Sequence, residues 1–115
     1  MSLKSTSRLF KAVSDSNRLR ILKMLEVRPL CVCEIRDVLQ LATSTISKHL
    51  AILRDAGFIL DHKDAKWVEY SLNPKLDTET AAILSAIQNA NVDDELIQAD
   101  REKVATVDRH TLCSV

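Results

Sequence analysis

A mainly α-helical domain closed by one small β-hairpin is the fold class that this 115-residue chain predicts, on three observations. Leu, Ile, Val and Ala dominate the apolar residues, while the whole chain holds one glycine and two prolines, a composition that favours helices. Apolar residues recur on a 3.6-residue period as far as Gly57 and again beyond Asp77. Between these stretches the period drops to two, over residues 58–72, as a pair of strands requires. A chain of this length forms one domain, 1–115, around one core.

The first helix is predicted over about Lys4–Ser14, with Leu9, Phe10 and Val13 apolar. Ser14 or Asp15 caps a second helix through Glu26, whose band of Leu19, Ile21, Leu22, Met24 and Leu25 is broad enough to be central. Pro29 stops it. A short third helix follows over Val32–Gln40, with Ile35, Val38 and Leu39 inward, and Leu41-Ala42 link it to a fourth, Thr43–Phe58. Thr43 or Ser44 is the expected N-cap there, and Gly57 the expected left-handed end. Two short helices joined by so few residues form a helix-turn-helix, although its turn, Gln40-Leu41-Ala42, lacks the usual glycine.

Phe58–Lys63 and Trp67–Leu72 then read as the two strands of a wing, with Lys63 and Lys66 at its tip. The connection Asp64-Ala65-Lys66 has neither Gly nor Asn, so a loose loop is expected. Asn73-Pro74 ends the hairpin, Asp77 caps a helix through Asn91, and Asp93 or Asp94 starts further helix carrying Leu96, Ile97, Val104 and Val107. Whether this tail is one helix or two is left open. The apolar faces of the terminal helices, 1–14 and 75–110, are expected to pair with those of a second copy, with 111–115 a flexible end. The whole is a winged helix-turn-helix with terminal helices at a dimer interface.

No apolar run approaches the roughly 20 residues of a membrane span, and the amino terminus lacks the apolar core of a signal peptide, so a cytoplasmic protein is expected. The formal charge is zero. Its distribution is uneven: residues 1–72 hold 12 basic against 8 acidic groups, a surplus of four, and residues 73–115 hold 4 against 8, the same surplus reversed. A basic body with an acidic tail suits one face on phosphate.

On the fourth helix Ile46, Leu50 and Leu53 make the inward stripe. The opposite side carries Ser44, Thr45, Ser47, Lys48 and Ala51, short groups that let a helix approach a groove floor. An amphipathic surface helix would carry the same pattern. The neighbouring helix-turn-helix and wing favour DNA.

The three cysteines, an odd number, argue against a structural disulfide framework and leave free thiols, ligands or redox groups. Cys31 and Cys33 would diverge by about 200° in a regular helix. They converge only at a bend, and they lie at one, just after Pro29 at the mouth of the third helix, where unpaired amides favour thiolates. Two thiolates there select a soft ion. The plainer alternative is a pair of buried cysteines acting as small apolar groups.

The stretch Ala12–Leu22, AVSDSNRLRIL, resembles the opening of the ArsR-type winged-helix metalloregulators. Ser44–Leu50 followed by Leu53-Arg54-Asp55-Ala56-Gly57 is similar to their recognition helix, and LCVCEI, residues 30–35, to the thiolate box of their arsenic-responsive branch. The resemblance spans roughly residues 5–72. It implies a homodimeric transcriptional repressor that holds double-stranded operator DNA until a metalloid, As(III) or Sb(III), binds its cysteines. Thr45, Ser47 and Lys48 would then reach bases or phosphates, Lys63 and Lys66 would brace the wing on the backbone, and Ser44 and His49 would complete the DNA face. For His49, packing is an alternative; His62 would be solvated, and Arg18 and Arg20 would pair with carboxylates or approach DNA.

Arsenic-responsive relatives often place a third cysteine three residues after the second, where this chain has Arg36. Cys113 would finish the set by folding back or by crossing from a partner subunit. His110 would share its helical face, and a mixed His/Cys set would suit zinc, cadmium or lead. A redox- or persulfide-sensing repressor is the other reading of the same thiols. An enzyme is not expected: there is no Cys-x-x-Cys, no Gly-rich phosphate loop and no acid–base pair beside the thiols.

Overall fold

The structure, a computed structural model, describes residues 2–113. Helix α1 spans Leu3–Val13, capped by the Ser2 hydroxyl, and buries Leu9, Ala12 and Val13. Helix α2, Ser16–Leu25, starts at Asp15, whose carboxylate accepts from the amides of Asn17 at 2.8 Å and Arg18 at 3.1 Å. Ile21, Leu22 and Met24 are fully buried, so α2 is the central rod that its broad apolar band predicted.

Strand β1, Leu30–Cys31, was not expected. It runs into α3, Val32–Leu39, and α4, Thr43–Asp55, follows after a left-handed Gln40 at φ 57°. Gln40 thus takes the role for which a glycine is usual, its amide closing the α3 end on the Arg36 carbonyl at 2.8 Å. The cap of α4 differs from expectation. Ala42 is the N-cap and supplies no side-chain bond. Thr43 falls inside the helix, and its hydroxyl instead accepts from Arg36 Nη1 at 3.2 Å, tying α3 to α4. At the other end Gly57 is left-handed as expected, at φ 90°, and the amides of Gly57 and Phe58 return to Arg54 O and Leu53 O.

Strands β2, Ile59–Asp64, and β3, Trp67–Leu72, pair antiparallel from Ile59↔Leu72 to Asp64↔Trp67. The wing tip is therefore a tight two-residue turn, not a loose loop. Ala65 accepts the left-handed conformation, φ 56°, that Gly or Asn would normally supply. β1 adds to the free side of β3, with Leu30 opposite Tyr70 and Cys31 opposite Glu69, giving the order β1-β3-β2.

The tail divides into α5, Thr78–Asn89, α6, Glu95–Thr106, and a short α7, Arg109–Leu112. Of the expected flexible end, residues 111–112 belong to α7 and Cys113 is its C-cap, while residues 114–115 lie outside the described range. α6 belongs to this chain's own core: Val104 is fully buried, and Asp100 takes both Arg20 Nε and Nη2 at 2.8 and 2.9 Å. Lys23, almost wholly buried, donates to the Ile87 and Gln88 carbonyls, each at 3.0 Å, at the end of α5. A cation there compensates the negative end of the helix. α1 leaves two large apolar groups outside, Leu3 at 87% and Phe10 at 57% exposure, and Val92 and Leu96 at the start of the α6 region are likewise exposed.

Candidate metal centre and nucleic-acid interface

Cys31 is still in extended backbone, φ −94° and ψ 168°, while Cys33 lies in the first turn of α3. This strand-to-helix bend brings to one side two side chains that a continuous helix would hold apart. Their sulfurs are 3.3 Å from each other. α7 delivers Cys113 from the far end of the chain, its sulfur 3.6 Å from that of Cys31 and in bonding contact with that of Cys33, with which it is paired as a disulfide. All three sulfurs fall within 4.8 Å of one another, and they are the one such gathering of three His, Cys, Asp or Glu ligand atoms among the described residues. Cys31 is buried and the other two are half-buried. An open cleft of about 470 Å³, lined by these cysteines with Arg36, Trp67 and Leu112, gives solvent access to them.

Arg36, where relatives were expected to carry a third cysteine, points instead to Thr43. His110 does not join the sulfurs. Its ring meets that of Trp67 edge-on at 4.8 Å between centroids.

Glu34 was missed. Almost fully buried, its carboxylate accepts from the Cys31 amide at 2.9 Å and the Cys31 thiol at 3.2 Å. Arg28 Nη2 meets it at 3.1 Å and Arg109 Nη2 at 3.2 Å. A signal for it was present, since a Glu three residues after a helix N-cap reaches back to the N-cap amide. It also reverses an expectation about the thiols. Burial, and then the hydrogen bond to Glu34, push the Cys31 pKa up, so the thiol rather than the thiolate is favoured. The helix mouth does not overcome burial and the carboxylate beside it. At Glu34 burial works the other way, but the bonds from Cys31 and Arg28 prevail and hold the carboxyl below the usual glutamate range.

On α4 Ile46, Leu50 and Leu53 are fully buried, while Ser44, Thr45, Ser47 and Lys48 stand exposed on the outer face. Lys63 and Lys66 are exposed on the wing, with Lys66 Nζ 5.0 Å over the Trp67 ring. His62 is exposed as well. His49 is half-buried, and its Nδ1 lies 3.1 Å from Arg18 Nη1. A guanidinium only donates, so Nδ1 is the bare nitrogen and the ring proton of the neutral form is assigned to Nε2. Arg18 also donates to Ala12 O at 2.7 Å and forms no side-chain ion pair among the described residues, whereas Arg20 pairs with Asp100. Arg18 and His49 thus fasten the outer helix to the α1–α2 junction.

A helix-turn-helix with its polar helix outward, a three-stranded wing beside it and a thiol cluster at their junction define a winged-helix DNA-binding regulator. The model of the bacterial regulatory protein family arsR matches residues 15–60, from the α2 cap to the start of the wing. The arsenical resistance operon repressor of Escherichia coli K12 is 37% identical over 111 residues, covering 96% of this chain and 87% of the relative. This chain belongs to the arsR family. A cadmium resistance regulatory protein CadC homolog of Staphylococcus aureus is 37% identical over 68 residues, 58% of this chain and 56% of that one. Among solved structures, reduced HlyU from Vibrio cholerae is 34% identical, with a TM-score of 0.65 over 77% of this chain and 90% of its own. The family is one of transcriptional regulators, not of enzymes.

Proposed function

We propose that the chain is a homodimeric repressor that holds operator DNA through Ser44, Thr45, Ser47, Lys48 and His49 on α4 and Lys63 and Lys66 on the wing, and releases it when Cys31, Cys33 and Cys113 bind As(III) or Sb(III). The observation that carries this reading is the gathering of all three sulfurs of the chain in one cluster. An ion about 2.3 Å from each sulfur would hold them roughly 3.3–3.8 Å apart, for bond angles between right and tetrahedral. Two of the separations, 3.3 and 3.6 Å, already meet that need, whereas Cys33 and Cys113 are bonded to each other and have to be reduced and part before the ion enters between them. Three sulfurs without a fourth donor suit a pyramidal metalloid better than tetrahedral zinc. The naming of one relative as an arsenical resistance repressor supports the same choice. Dimerisation is supported by the apolar groups that α1 leaves outside. Among the described residues no helix is long and apolar enough to cross a membrane.

The release is a coupling between two sites. Cys31 is at once the last residue of β1 and the cap of α3, so an ion there grips both the wing sheet and the helix that precedes α4. The Arg36–Thr43 bond passes a shift of α3 to the start of α4. For a ten-thousand-fold change in occupancy the ion must favour the DNA-incompetent form by about 5.5 kcal/mol, which three sulfur bonds can supply.

The test is operator binding by Cys31→Ser and Cys33→Ser, followed by fluorescence anisotropy during arsenite titration. Both variants are expected to bind the operator as the wild type does and to stay bound when arsenite is added. Release at wild-type arsenite concentrations would remove the sensing assignment.

One observation favours a second reading. The Cα atoms of Cys33 and Cys113 are 5.7 Å apart, inside the disulfide range of about 4.4–6.8 Å, and the structural relative was solved in a reduced form. On this reading hydrogen peroxide takes two electrons and two protons from the two thiols, giving the disulfide and two waters. Release by peroxide without arsenite, lost in Cys113→Ser, would favour it. Release by cadmium rather than arsenite would instead align the chain with the CadC homolog.

A further inference from the structure

In the reduced protein, where no bond ties it to Cys33, the place of Cys113, 80 residues further along the sequence, has to be set by contacts of its own segment. α7 has only four residues and contributes no buried side chain to the core. What fastens it is Arg109. The guanidinium, 11% exposed, places Nη2 at 2.9 Å from Glu69 and 3.2 Å from Glu34, and Nη1 at 3.4 Å from Asp64. One cation thus meets carboxylates from the first turn of α3 and from both strands of the wing. Trp67 completes the seat, with the Arg109 guanidinium 5.9 Å from its centroid and the His110 ring against its face. The Cys113 amide donates to the Arg109 carbonyl at 2.8 Å, so the position of Arg109 sets that of the sulfur.

We infer that Arg109 is the positioning residue of the inducer site: it docks α7 on the wing, presents Cys113 as the third sulfur and makes ion capture and wing position a single event. This rests on the proposed three-sulfur capture of trivalent arsenic. With α7 docked, the third donor is held at high effective concentration beside the first two. With α7 free, the ion meets only Cys31 and Cys33. The coupling is reciprocal, so a third arsenic–sulfur bond holds α7 down and pins the hairpin, with Lys66 at its tip, between α7 and the mouth of α3.

Trp67 is the only tryptophan of the chain, so its emission reports the docking directly. The intact reduced protein is titrated with arsenite while Trp67 emission is followed, and the sulfurs around bound arsenic are counted by X-ray absorption. Wild type is expected to show three sulfurs and an emission change that saturates at one arsenite per chain. Arg109→Ala is expected to show two sulfurs, roughly tenfold weaker binding and no saturable change. Arg109→Lys should restore part of the affinity, and Glu69→Gln, which removes the wing's nearest half of the clamp, should fall between. A merely structural role would lower the melting temperature and leave the sulfur count at three. Three sulfurs and wild-type affinity in both Arg109→Ala and Glu69→Gln overturn the inference alone. Fewer than three sulfurs in the wild type overturn it together with the three-thiol reading.

Discussion

Asp15 shows what a single side chain contributes here. It caps α2, the central helix, through two amides, one of them that of Arg18, whose guanidinium reaches on to His49. Burial works to raise its pKa, but the amide and charge of Arg18, the Asn17 amide and His49 outweigh it, and the carboxyl is held below the ordinary aspartate range. A folded-state value below the unfolded one means that the stabilisation is complete above the unfolded value and is lost as pH falls through the aspartate range toward the folded value. Asparagine caps as well as aspartate but does not titrate. Asp15→Asn is therefore expected to match the wild type in urea unfolding near neutrality, apart from the lost charge pairing, and to lose less stability on acidification. Parallel acid limbs for the two proteins would show that this carboxyl has no part in acid unfolding. The candidate thiols were legible at the same scale, because a Cys-x-Cys beside a proline stands out in any helical sequence. Glu34 was legible only in part: its spacing from the Cys31 cap signals the bond to that amide, whereas its pairing with Arg109 depends on where the tail packs.

Among the elements, the turn between α3 and α4 is the one most exposed to test. Gln40 holds a left-handed conformation that costs an L-residue with a Cβ about 1–2 kcal/mol, partly offset here by its side chain, whose Nε2 donates to Asp37 O at 2.6 Å. Gln40→Gly removes that strain and pays some unfolded-state entropy. The expected net gain is about 0.5–1 kcal/mol in unfolding free energy, read as a higher denaturant midpoint at unchanged m, with operator binding retained; a loss of stability would show that the side-chain bond outweighs the strain. Helix existence was legible from the 3.6-residue period, as for the buried Ile46, Leu50 and Leu53. Helix ends were less so. Thr43 looked like a cap by composition, yet Arg36, seven residues earlier, claims its hydroxyl. β1 escaped notice because two residues carry no period, and only pairing with β3 makes them a strand.

At the scale of the whole molecule the zero net charge conceals a basic body and an acidic tail. In Arg20–Asp100 a carboxylate of the tail meets a basic group of the body, whereas in Arg101–Glu26 and the Arg109 cluster basic groups of the tail neutralise carboxylates of the body. The lysines of α4 and the wing stay outside these pairs. If Lys63 and Lys66 contact phosphate, each alanine substitution should weaken operator binding about equally for all sequences and reduce the salt slope of log affinity by roughly one. Anisotropy titrations at several salt concentrations measure that slope. An unchanged slope in both variants would remove the wing from the DNA face.

Local periodicity and short-range chemistry determined, from sequence alone, the helix-turn-helix, the hairpin, the central α2 and the outward polar face of α4, because each follows from residues within a turn or two of one another. The tertiary structure alone decided that Cys113 meets Cys31 and Cys33, that His110 turns to Trp67 instead, and that Arg109 and Glu34 join the tail to the wing. Those contacts join residues about 40 to 80 positions apart, and no periodicity in the chain encodes a pairing that arises only when α6 packs on α2 and α3 and carries the end of the chain back to the first strand.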